Sequence, residues 1–138
     1  MECRIMEGLR ILLAIPCFNE EILLPRVLES LYSWIDSETL KDPINVLVFN
    51  DGSTDSSSLI IEENTKKWRG KLLTETHEKP LGYGRTIGDI LRFACSQKDK
   101  FDIAITFDAD LQHDPVTIPS IILLNSASTL AAKSASIR

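Results

Sequence analysis

Apolar runs of strand length alternate along this chain with longer stretches in which apolar residues recur at helical spacing. The first run, residues 9–15, is continuous and stops at Pro16, the pattern of a strand buried on both faces. Residues 20–35 then carry Ile22, Leu23, Val27, Leu28, Leu31, Tyr32 and Ile35 on one helical stripe. Pro25 falls in the first turns of that helix, where a missing N–H costs little. A second strand is predicted over 44–49, followed by a helix over 56–68 capped by Asp55 or a neighbouring serine. A weaker strand over 71–76, a helix over 82–96 and a fourth strand over 101–107 continue the series. Residues 115–125 open a further helix, with Asp114 as N-cap and Pro115 at its first position. After Leu124 the pattern dissolves, so 1–124 is expected to form one domain and 125–138 an irregular Ser/Ala-rich tail.

This alternation predicts an α/β fold: a doubly wound, mostly parallel sheet of at least four strands with helices on both faces. A chain of 138 residues with 43% apolar and 25% charged residues suits one compact domain and excludes extensive disorder. The net charge of −5 argues against a nucleic-acid surface, though not against a nucleotide ligand. Cys3, Cys17 and Cys95 are scattered and unpaired in spacing, as reduced thiols of a cytoplasmic protein would be. No signal peptide is recognised, and the longest late apolar run, residues 118–124, is far short of a membrane span.

Polar clusters follow the strands directly: "PCFNEE" after the first, "NDGSTD" after the second and "DADLQHD" after the fourth, with "PLGYGRT" after the third. Ligands of open parallel sheets bind at the carboxyl ends of the strands, so folding would gather these clusters on one rim. Asp108 and Asp110 can both turn toward one cation if the backbone kinks at Ala109. Hard cations such as Mg²⁺ or Mn²⁺ take one or two carboxylates plus substrate phosphates. Gln112 and His113 can add a ligand or touch a phosphate. The competing reading of such a pair is turn and cap chemistry. Asn50 and Asp51 can face a base or ribose edge, Phe18 can flank a base or join the core, and Glu20 can bond a ribose or cap a helix. "GYGRT" lacks the dinucleotide-binding GxGxxG but can bring Arg85 to a phosphate. His77 is expected on a solvated loop.

"AIPCFNEE", "VFNDGSTDSS", "GYGRTIGDILRFA" and "TFDADLQHDP", in that order, resemble the nucleotide-binding half of the family 2 inverting glycosyltransferases, whose fold is called GT-A. "DADLQHDP" is similar to the polyprenyl-phosphate (dolichyl-phosphate) mannose or glucose synthase branch. The resemblance implies that Pro16, Phe18 and Glu20 line the nucleoside, and that Asp51 is the second acid of a base-reading pair whose first is here Asn50. It implies that Asp108 and Asp110 hold Mg²⁺ or Mn²⁺, with Gln112 as a further metal or phosphate contact and Ala109 within the donor set. The partners implied are a nucleotide-diphosphate sugar of the GDP-mannose or UDP-glucose type and a lipid-phosphate acceptor at the cytoplasmic membrane face. The family's acceptor half and base would lie beyond this chain, leaving His113 as a weak catalytic candidate. Two expectations follow: an inactive nucleotide-sugar-binding module as the alternative to a working transferase, and self-association through an open sheet edge.

Overall fold

The structure, a computed structural model, describes residues 10–37, 44–97, 100–108 and 134–137. Five strands, β1 (Ile11–Cys17), β2 (Asn45–Asp51), β3 (Leu72–His77), β4 (Ile103–Phe107) and β5 (Ser134–Ile137), form one sheet in the order β3-β2-β1-β4-β5. Every pairing is parallel, with Ala14 of the central strand opposite Leu47 on one side and Thr106 on the other. Among the described residues, three helices connect β1 through β4: α1 (Leu24–Ser37), α2 (Ser57–Lys67) and α3 (Tyr83–Ser96). The expected doubly wound α/β architecture is therefore the one observed.

Side chains alternate across each strand, so odd and even positions face different layers. Leu13, Ile15, Val46, Val48, Ile103 and Ile105 pack with Leu24, Val27, Leu28 and Leu31 of α1 and with Ile61 of α2. Leu12, Ala14, Leu47, Phe49 and Ala104 pack with Ile90 of α3 on the other face. Covering both faces explains why β1, β2 and β4 read as near-continuous apolar runs. The steps from β1 to β2 to β3 move one way along the sheet, and the step from β3 to β4 returns past both. Crossovers of one hand then put α1 and α2 on one face and α3 on the other. The reversal leaves a crevice between the carboxyl ends of β1 and β4.

Boundaries differ from the sequence pattern where turns intervene. Helix α1 begins at Leu24, because residues 21–23 form a turn entered through Asn19 at φ 51°. Strand β1 runs through Pro16 to Cys17. Its pairing with β4 ends at Ala14, so a residue lacking an N–H is tolerated at 16. Strand β3 forms one edge of the sheet, with Thr74, Glu75 and Thr76 exposed, which accounts for its weak apolar signal. The expected irregular tail over 125–138 is corrected in part: Ser134–Ile137 pairs with β4 as β5. Ladder bonds use backbone groups alone, and "SASI" has no apolar run to announce it. The helix expected over 115–125 lies outside the described residues.

Candidate functional site

A cavity of about 390 Å³ opens at the carboxyl ends of the strands, over the crevice between β1 and β4. Pro16, Cys17, Phe18 and Glu20 line it from the end of β1, Asp51 from β2, and Asp108 from β4. Pro80 and Gly82 follow β3, and Tyr83 and Thr86 belong to the first turns of α3. Parity explains much of this set. Pro16 and Phe18 continue the alternation of Leu12 and Ala14, Asp51 that of Leu47 and Phe49, and Asp108 that of Ala104, all toward the α3 face. The N-terminus of α3, with no acid in its first turn, opens on the cavity, a favourable setting for an anion. Tyr83 Oη donates to Asp108 Oδ1 at 3.2 Å.

The loops after β1 and β2 are stitched to each other. Asn19 Oδ1 accepts from the backbone N–H groups of Thr54 (2.8 Å) and Asp55 (3.3 Å), and Asn19 N–H donates to Ser53 Oγ. Glu21 N–H donates to Asp55 Oδ2 while Ser56 N–H donates to Glu21 Oε2, a reciprocal pair. Asp55 Oδ1 accepts from Ser57 N–H at the start of α2, the capping role its position suggests. Gly52, at φ 59°, sits against the backbone of Lys79 and Pro80.

Asp51 is buried and its oxygens are engaged. Oδ1 accepts from Leu81 N–H (2.8 Å) and meets His77 Nδ1 (2.8 Å), and Oδ2 accepts from Gly82 N–H (2.9 Å). His77 Nε2 lies 2.7 Å from Asp89 Oδ2, and Asp89 also takes hydrogen bonds from Arg85 Nε and Arg92. Burial alone would raise the Asp51 pKa, but the Leu81 N–H, His77 and the Gly82 N–H together lower it. The bond to Asp51 raises His77, against burial and with help from Asp89. The hydrogen bond from His77, seconded by Arg85 and Arg92, holds the Asp89 carboxyl at about 2.

Residues 13–127 match the family model for glycosyl transferase family 2. The chain belongs to that family. An uncharacterized protein of Methanocaldococcus jannaschii is 35% identical over 108 residues, which is 78% of this chain and 43% of that protein. The undecaprenyl-phosphate 4-deoxy-4-formamido-L-arabinose transferase of Proteus mirabilis is 29% identical over 82% of this chain and 32% of its own length. The dolichol-phosphate mannosyltransferase of Pyrococcus furiosus is 29% identical over 83% and 29%, respectively. The solved structure of S. aureus TarS is similar in fold, with a TM-score of 0.58 at 19% identity over 86% of this chain and 33% of that one. The chain thus spans less than half the length of these relatives.

Against this family pattern, the described residues divide. Pro16, Phe18, Glu20, Asp51 and Asp108 are brought together at the cavity. Asn50 is not: one position from Asp51, it faces α2, where Nδ2 donates to Ser58 Oγ and Oδ1 accepts from Ser53 N–H. Arg85 is exposed and turned to Asp89, away from the cavity lining. Ala109, Asp110, Gln112 and His113 lie outside the described residues. The expectation of a solvated His77 is corrected, since its side chain is 12% exposed and bridges two carboxylates. Cys17, Pro80, Gly82, Tyr83 and Thr86 also line the cavity; they belong to the "PCFNEE" and "PLGYGRT" clusters expected on the rim, though the motifs assign none of them a binding role. The signal that could have found Tyr83 and Thr86 is their place in the first turn after a glycine-rich strand exit.

Among the described residues no three His, Cys, Asp or Glu side chains converge as a metal cage. Asp108, a carboxylate at the cavity wall, is the hard oxygen donor that suits Mg²⁺ or Mn²⁺. Cys17, buried, and Cys95, exposed, are free thiols, and burial pushes the Cys17 pKa up. Among the described residues no helix is long and apolar enough to cross a membrane.

Proposed function

We propose that the cavity is the donor site of a family 2 glycosyltransferase and takes a nucleotide-diphosphate sugar. The observation that carries this reading is the convergence of Phe18, Asp51, Asp108 and the N-terminus of α3 on one cavity at the sheet's switch point. An aromatic side chain beside an apolar strand end suits a base, and a helix N-terminus suits a diphosphate. Asp108, together with Asp110 and Gln112, would hold Mg²⁺ or Mn²⁺, which when bound neutralises charge on the leaving diphosphate. Asp51 would act on the nucleoside through the loop it holds, because its oxygens already take the Leu81 and Gly82 N–H groups and face His77.

The reaction proposed is displacement at the anomeric carbon. An acceptor oxygen forms the new glycosidic bond as the bond to the diphosphate breaks, and the nucleoside diphosphate leaves. Relatives named as undecaprenyl-phosphate and dolichol-phosphate transferases support a polyprenyl phosphate as acceptor.

Calorimetric titration of GDP and UDP, with Mn²⁺ and with chelator, tests the donor site. Mn²⁺ is expected to strengthen binding of one nucleotide, and Asp108→Ala and Asp110→Ala to remove the gain without unfolding the chain. Equal affinity with and without metal in the unmutated chain contradicts the metal role of Asp108 and Asp110.

A further inference from the structure

His77 stands between two carboxylates contributed by different elements, Asp51 at the end of β2 and Asp89 in α3, at 2.8 and 2.7 Å. A neutral imidazole has one N–H, so it donates to one carboxylate and turns a lone pair toward the other. Only the imidazolium donates to both. Water does not readily relieve the conflict, because the His77, Asp51 and Asp89 side chains are 12%, 6% and 18% exposed. Among the described residues, the charged groups facing His77 are Asp51 from β2 and Asp89 from α3, the latter paired with Arg85 and Arg92 of its own helix. The Phe49 ring of β2 packs against the imidazole at 4.8 Å.

Asp51 in turn takes the Leu81 and Gly82 N–H groups. That links His77 to the segment whose Pro80, Gly82 and Tyr83 wall the cavity, and Tyr83 reaches Asp108. We propose that His77 is a positioning residue: as an imidazolium it fixes Asp51 in the orientation that holds residues 78–82, and so holds the cavity wall in place. Loss of the proton puts a lone pair against a carboxylate at one end of the bridge, and that contact opens. The segment 78–82 then loses the anchor on which its position depends. The consequence for ligand binding rests on the donor-site reading above, whereas the control of the segment rests on the hydrogen bonds alone.

The experiment follows the His77 Cε1–H signal and the Leu81 and Gly82 amides of the 138-residue chain by NMR across pH. The expected midpoint for His77 lies above 6.5, and both amides shift with that midpoint. Asp89→Asn, which leaves the Asp51 contacts in place, is expected to move all three midpoints down together by about 1 pH unit. A His77 midpoint at or below 6.5, or amides that ignore it, overturns the proposal. A second arm measures the affinity for GDP and UDP with Mn²⁺ on either side of the midpoint. Affinity is expected to fall about fivefold or more on deprotonation, and His77→Lys, charged throughout, is expected to abolish that fall. Affinity that stays constant through the midpoint overturns the role of His77 at the cavity. Absence of nucleotide binding at every pH refutes the donor-site reading, and the amide titration then decides the positioning role by itself.

Discussion

A Cβ built on Gly52 would lie 2.4 Å from the Lys79 carbonyl carbon and 2.5 Å from the Pro80 nitrogen, and the residue holds φ 59°. Both neighbours are backbone, so neither can swing aside. Gly52→Ala is therefore expected to cost about 2 kcal/mol or more, combining left-handed strain with displacement of the 78–82 segment. Gly84 is the contrast: helical, with nothing within 4 Å of its added Cβ, so Gly84→Ala should be neutral or stabilise by about 0.5 kcal/mol. Urea unfolding of both variants checks the pair, and a Gly52→Ala midpoint equal to that of the unmutated chain contradicts the close approach. Asn19→Ala removes the acceptor for two backbone N–H groups and leaves φ 51° to a residue that disfavours it, a loss of about 1–2 kcal/mol. One position out of step matters as much as a clash. Asn50 and Asp51 read as a pair in the sequence, but adjacent strand residues face opposite sides, so only one of them can reach the cavity. That parity was available from the sequence once the strand was assigned.

The bridge of Asp51, His77 and Asp89 joins β2, β3 and α3, and its protonation sets a pH window for their packing. Asp51 and Asp89 are held below their ordinary value of 3.8. Their contribution is present above that value and is lost as pH falls through the lowered ones. His77 is held above its ordinary 6.5, so its contribution is complete below 6.5 and is lost as pH rises through the raised value. Stability from this cluster is thus greatest between about pH 4 and 6.5. Denaturant midpoints across pH are expected to decline on the alkaline side for the unmutated chain and to stay flatter there for His77→Gln. Parallel curves for the two chains above pH 6.5 contradict the assignment. None of this was legible in sequence, because Asp51 and Asp89 lie 26 and 12 residues from His77, which falls just past the strand expected over 71–76 and so reads as the start of a loop. The apolar strands were legible for the opposite reason, since burial on two faces leaves a mostly apolar local record in β1, β2 and β4.

At the scale of the molecule, a five-stranded parallel sheet brings polar clusters separated by dozens of residues to one rim, where Phe18, Asp51 and Asp108 line one cavity. The order of strand, helix and polar turn foretold that rim, whereas β5 was hidden because its four residues, "SASI", carry no apolar run. On the donor-site reading, the residues lining the cavity would serve the donor side of the proposed reaction. Transfer also needs an acceptor oxygen held about 3–3.5 Å from the anomeric carbon and a base within reach. The most direct measurement of the donor site is paramagnetic line broadening by Mn²⁺ in the amide spectrum, with saturating GDP or UDP. The donor-site account predicts broadening concentrated at Phe18, Gly82, Tyr83, Thr86 and Asp108, with Arg10, Lys71 and Phe101 at the opposite ends of the strands left sharp. Broadening that is uniform, or centred away from Asp108, contradicts it.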